Sequence, residues 1–152
     1  MESTMGKFLK LVLISAALAG PAMGAAPSAS DSLYKHLGSK TAITAVVDEF
    51  VARVAADQRI NSFFAATAAD PKRLAAFKAN LVDQICQASG GRCQYKGKDM
   101  KSAHAGMGIQ SSQFDALVED LVGALDKFKV ADADKQALLG VLGPMKSDIV
   151  AH

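Results

Sequence analysis

The stretch Tyr95–Ile109 limits the folds open to this chain more than any other. It is punctuated by Gly97, Gly106 and Gly108 and carries a single histidine, His104, with Met100 about one helical turn before it. Apolar stripes of helical period flank it on both sides. A plain helical bundle would join such stripes by a short turn, not by a long glycine-rich loop. Glycines in an ordered loop cost chain entropy unless the backbone needs unusual angles or close approach. The segment therefore reads as a loop shaped around His104, whose imidazole can point across a cavity.

The stripes themselves predict an all-α chain. Asp31–Gly38 reads as a one-turn helix capped by Asp31 and closed by Gly38. A longer helix capped by Ser39 carries Ile43, Val47, Phe50 and Val54 on one face and ends at Asp57. Arg59–Phe64 is predicted as a short helical turn bearing Phe63 and Phe64, and Ala65–Asp70 as a loop. Asp70 and Pro71 form a strong helix start, with Leu74, Phe77, Leu81 and Ile85 as the buried face down to about Ala88. Gly90 and Gly91 stop that helix. Ser111 or Ser112 is expected to cap the next, whose inner face is Phe114, Leu117, Val118, Leu121, Val122, Leu125 and Phe128. A last helix carries Leu138, Leu142, Met145 and Ile149, with a kink at Gly143-Pro144. No run alternates with strand period.

The N-terminal residues have a different character. Lys7 and Lys10 precede and interrupt the apolar run Phe8–Ala19, Gly20-Pro21 breaks it, and Ala22-Met23-Gly24 has the form of a cleavage site. Residues 1–24 read as a secretory signal peptide, since the run is too short to span a bilayer. Residues 25–30 read as a disordered leader and 31–152 as one domain. The expected location is the periplasm, with no stable membrane insertion after cleavage.

Setting aside Glu2, Lys7 and Lys10 leaves 15 basic against 14 acidic residues, and no basic stripe argues for nucleic acid. Cys86 and Cys93 flank the Gly90-Gly91 turn. In an exported chain a disulfide between them and two unpaired thiols are both open readings, while two thiols without nearby histidines make a poor zinc cage.

Together, Leu33-Tyr34, Leu37-Gly38, Phe63-Phe64, Gly90-Gly91, Tyr95, Gly97 and His104 resemble the group I truncated haemoglobins from about Ser32 to Val150. The resemblance implies a truncated globin fold, a two-over-two helical sandwich around haem. It makes His104 the proximal iron ligand, with Nε2 on the metal and Nδ1–H on a backbone carbonyl. Phe64 matches the phenylalanine packed on the porphyrin, with Phe63 in the core. Met100, Met107 and Ile109 would line the proximal side, and Phe114, Val118 and Val122 would close the pocket. No Cys-x-x-Cys-His occurs, so the group is haem b held without covalent attachment.

The chain departs from the family on the distal side. Phe50 is followed by Val51 where the family carries an oxygen-holding tyrosine. The distal helix aligns in two registers, placing either Leu74 and Lys78 or Phe77 and Leu81 over the iron. Both leave a mainly apolar pocket in which Lys78 is the one strongly polar candidate, as donor or as distal iron ligand. Gln84 and Asn80 are weaker candidates. Reversible binding of O2, NO or CO is the implied function, with nitrogen-oxide redox chemistry and an unidentified reductase as extensions. A periplasmic electron-transfer haem protein, and a haem-free helical interaction module, are the alternatives.

Overall fold

A computed structural model describes residues 32–151, and these contain helices and turns without a strand. The expected signal peptide, the expected leader, the expected Asp31 cap and His152 lie outside the described residues. Helix α1 (Leu33–His36) leads into α2 (Ser39–Ala56), and a 3₁₀ turn (Asn61–Phe64) continues into α3 (Ala65–Ala68). Then come α4 (Pro71–Ala88), the short α5 (Met100–His104) and α6 (Ser111–Lys127). The last stripe is broken as expected at Gly143-Pro144, giving α7 (Asp132–Leu142), a 3₁₀ turn (Gly143–Met145) and α8 (Lys146–Ile149).

Helix α2 is central because its apolar face serves two neighbours. Ile43, Val46, Val47, Phe50 and Val54 are buried on it, and it packs against both α4 and α6. From the other side come Val82, Ile85 and Cys86 of α4, Leu121, Ala124 and Leu125 of α6, and Leu138 of α7. Fully burying an aliphatic side chain of this kind contributes roughly 1.5–3 kcal/mol. The apolar residues at the start of α4 behave differently. Leu74, Phe77 and Leu81, expected to be buried, are only half-covered.

Several helix ends are satisfied by groups that local rules do not single out. Ser39 sits at φ 64 after Gly38 at φ 87, and the N–H of Lys40 donates instead to the Tyr34 hydroxyl at 3.0 Å. At α6 neither Ser111 nor Ser112 caps. The side-chain oxygen of Gln113 accepts the N–H of Gln110 at 2.9 Å, so a glutamine reaching back replaces the expected serine. Asp70 does cap α4, accepting the N–H groups of Lys72 (2.9 Å) and Arg73 (3.2 Å). Two other expectations are corrected. Ala65–Ala68 is a helical turn and not a loop, as alanine's high helix propensity allows. Phe128, expected on the inner face of α6, is 44% exposed because the helix ends there.

Cys86 and Cys93 form a disulfide across the turn after α4, with Cα atoms 5.8 Å apart. Gly91 makes the corner feasible: a Cβ there would lie 2.5 Å from the Cys86 sulfur and 2.8 Å from the Tyr34 ring. The N–H of Tyr34 also donates to the Ser89 carbonyl at 2.8 Å. One knot thus joins α1, the end of α4 and the loop toward α5. Replacing both cysteines by serine should lower unfolding free energy by about 2–3 kcal/mol in the loop-entropy model, measured by urea denaturation. A change below about 0.5 kcal/mol would mean that the corner holds without the bond.

A charge cluster ties the end of α2 to α6. Arg59 bonds Asp57 at 2.7 Å and Glu119 at 2.7 Å. Beside them Asp120 has a buried Oδ2 with no partner, and burial first, then the Asp57 carboxylate, pushes its carboxyl above the usual range. The folded-state pKa of Asp120 lies above the unfolded one, so its contribution is full at low pH and lost as pH rises through the folded value. Asp120→Asn should therefore raise Tm at pH 7, with the gain shrinking toward pH 4. A pH-independent change would exclude this account.

Candidate functional site

The site is built upward from α5, a helix too short to hold itself together. Asp99 caps it, accepting the N–H of Ser102 at 2.9 Å, and the Ser102 side chain first, then that N–H, draw the Asp99 carboxyl below its usual range. On the following turn His104 places Nδ1 2.8 Å from the carbonyl oxygen of Met100. A carbonyl can only accept, so Nδ1 carries the proton, and in the neutral ring Nε2 keeps its lone pair. The ring is thereby fixed in the tautomer that a metal-binding imidazole requires. Its neighbours are Gly106 and Gly108, both at positive φ (75 and 64) in a loop where a side chain would be strained. This is the unusual backbone that the glycine spacing implied.

His104 borders a cleft of about 540 Å³ between the end of α5, the glycine loop and the C-terminal residues Ser147–Ala151. The N–H of Ala151 closes the far side by donating to the Ile109 carbonyl at 2.8 Å. Met100 is tied in as well. The Gln84 amide on α4 points at the sulfurs of Met100 (3.5 Å) and Met145 (3.4 Å), so α4, α5 and the turn before α8 converge here.

A second apolar region lies where α2, α3 and α4 meet. Val51, Phe64, Leu74 and Phe77 surround a tight cavity of about 20 Å³, with Val54, Ala55, Thr67 and Ala68 completing the wall. The Phe64 and Phe77 rings are 5.6 Å apart and inclined at 49°, a favourable tilted pairing. These are the side chains left half-covered by the core. Thr67 and Ala68 belong to α3, which sequence reasoning took for a loop, so they could not be named from it.

The remaining candidates divide clearly. Phe50 is 6% exposed within the main core, where Phe63, Phe64, Val51 and Leu81 pack against it. Ile109 and Phe114 are buried, and the Lys146 ammonium lies 5.3 Å from the Phe114 ring centre. Val118 and Met107 are half-buried. Lys78 does not turn inward: its ammonium is 2.9 Å from Asp48 on α2, in a surface ion pair. His36 contacts Asp134 at 3.0 Å, joining α1 to α7.

No group of three or more His, Cys, Asp or Glu residues fit to hold a metal ion occurs among the described residues. What the site offers is one tautomer-locked imidazole and a set of half-covered apolar and aromatic faces. That donor set suits a flat, apolar prosthetic group gripped through a single axial nitrogen.

Comparison with known proteins gives the same answer. The bacterial-like globin family matches residues 32–151. A group 1 truncated haemoglobin of Tetrahymena pyriformis is 36% identical over 102 residues, covering 67% of this chain and 80% of that protein. One from Nostoc sp. is 34% identical over 119 residues, covering 78% of this chain and 97% of its own. The Fe(III) crystal structure of the Tetrahymena pyriformis protein superposes with a TM-score of 0.72 at 30% identity, over 80% of this chain and 99% of that one. The 2/2 haemoglobin of Synechococcus sp. PCC 7002, in its cyanomet state with covalently attached haem, gives 0.71 at 30% identity over 78% and 98%. With its helices in this order and its locked histidine on α5, the chain belongs to the group 1 truncated haemoglobins.

Proposed function

We propose that this protein is an exported haem b protein that takes a diatomic ligand on an apolar face across from His104. The observation that carries the reading is the His104–Met100 contact of 2.8 Å, which leaves Nε2 free to ligate. Haem b, when bound, supplies an iron with one open position for O2, NO or CO. His104 holds that iron from one side, and its bond to the Met100 carbonyl sets the ring's orientation and basicity. Phe64 and Phe77 offer aromatic surface to the porphyrin plane.

What the pocket lacks decides which ligands it can retain. Val51 stands where relatives carry a tyrosine, and it shares its small cavity with Leu74 and Phe77. That cavity takes one residue from each register, Leu74 and Phe77, so an apolar side chain faces Val51 in either. Neither donates a hydrogen bond, and a neutral donor would be worth about 0.5–1.5 kcal/mol. CO needs little polarity, but oxygen is held poorly and the iron is readily oxidised. Lys78 supplies no remedy while Asp48 holds it at the surface, and this weakens an electron-transfer reading that needs a second axial ligand from the protein. A haem-free module is disfavoured by the family.

Export rests on the leader: Lys7, Lys10, the apolar run to Ala19 and the small residues ending at Gly24. The Cys86–Cys93 bond supports it, because such bonds persist in oxidising compartments.

Two measurements test the reading. His104→Ala should abolish the five-coordinate ferrous spectrum, with added imidazole restoring it. Unchanged spectra in that variant would assign the iron to another ligand. Val51→Tyr should slow oxygen release by about tenfold, as about 1.4 kcal/mol requires. Slow release from the native protein, unaffected by either Val51→Tyr or Lys78→Ala, would place different residues over the iron.

A further inference from the structure

The loop between α4 and α5 and the first turn of α5 carry four cations that the fold does not neutralise. Arg92, Lys96, Lys98 and Lys101 are all exposed, and none meets a carboxylate among the described residues. Elsewhere the cations of the helices are mostly paired: Lys40 with Asp83, Lys78 with Asp48, Lys127 with Glu49, Lys146 with Asp115. The one acidic residue within the loop, Asp99, is committed to the N-terminus of α5. Asp148 shares the neighbouring cleft with Lys101 but makes no ion pair with it.

The loop is also held in shape. The disulfide anchors it at Cys93, the N–H of Tyr95 donates to the Gln87 side chain at 2.7 Å, and the Tyr95 hydroxyl donates to the Lys98 carbonyl at 2.7 Å. Cations on a pinned backbone bind a partner at less entropic cost than cations on a floppy one. And the loop runs directly into the helix that ends at His104.

We propose that residues 92–101 form the docking face for an acidic one-electron carrier protein that returns the oxidised haem iron to the ferrous state. This rests on the functional reading above, in which an apolar pocket leaves the iron prone to oxidation. The balance is simple: the reduced carrier loses one electron, ferric iron gains it, and no bond is made or broken in this chain. A small, polar, charge-steered contact of this kind is characteristic of transient redox encounters. The loop favours an acidic protein over an anionic lipid surface because its cations adjoin the His104 helix.

The test uses haem-loaded protein and a plant-type [2Fe–2S] ferredoxin as an acidic probe. With oxidised ferredoxin, amide shifts should cluster between residues 92 and 104 and vanish at high salt. With reduced ferredoxin, Lys96→Glu/Lys98→Glu should slow haem reduction by about tenfold, within the range that charge steering supplies. Lys72→Glu/Lys129→Glu, which changes net charge equally outside the loop, should keep the native rate.

Equal losses in the two double variants, or shifts mapping elsewhere, overturn the proposal. So does faster haem loss from the loop variant, which would assign these cations to the cofactor's carboxylates. So, finally, does binding to phosphatidylglycerol vesicles with indifference to ferredoxin. The ferrous–CO spectrum reports separately on the haem reading: its absence from native protein defeats that reading, while its presence leaves the docking result to stand or fall alone.

Discussion

The two-sided burial of α2 is the constraint on which the rest depends. Its face of Ile43, Val46, Val47, Phe50 and Val54 is shared between α4 and α6, so both neighbours are positioned by one helix. Side chains that protrude from the shared core are left half-covered. Val51 on α2 and Leu74, Phe77 and Leu81 on α4 are of this kind. In a bundle built only for stability such residues would be a defect, because uncovered apolar surface weakens a fold. In a haem protein such faces are available to the cofactor.

His104 sits on a segment with little capacity to fold alone. Helix α5 has 5 residues, far below the length at which an isolated helix is stable. It is held by its ends: the Asp99 cap and disulfide-anchored loop before it, and the glycine turns and the Ala151–Ile109 bond after it. The ligand-bearing element is thus positioned by tethers and not by its own burial. That arrangement fixes an imidazole's direction while leaving room beside it, which a well-buried helix would fill with side chains.

Charge follows the same division. Ion pairs lace the helices at their surfaces, whereas Arg92, Lys96 and Lys98 on the loop into α5 meet no carboxylate among the described residues. Exposed pairs of this kind contribute little to stability, so the unpaired cations cost the fold little and remain available to a partner.

Much of this was legible from the residues. The helical stripes, the stop at Gly90-Gly91, the break at Gly143-Pro144 and the Asp70 cap all follow from local rules of period and backbone geometry, which neighbouring residues determine. His104 stood out because glycine-rich loops and a lone histidine seldom coincide without purpose. Tertiary packing decided what spacing could not. Tyr34 caps α2 from another helix, Cys86 and Cys93 meet because a turn folds back, and Lys78 is drawn to Asp48 by a helix 30 residues away in sequence. The facing of α4 belongs with these. Leu74, Phe77 and Lys78 lie within 4 positions of one another on α4, and periodicity alone cannot say which faces α2. Only the docking of α4 against α2 brings Leu74 and Phe77 beside Val51 and Lys78 to Asp48.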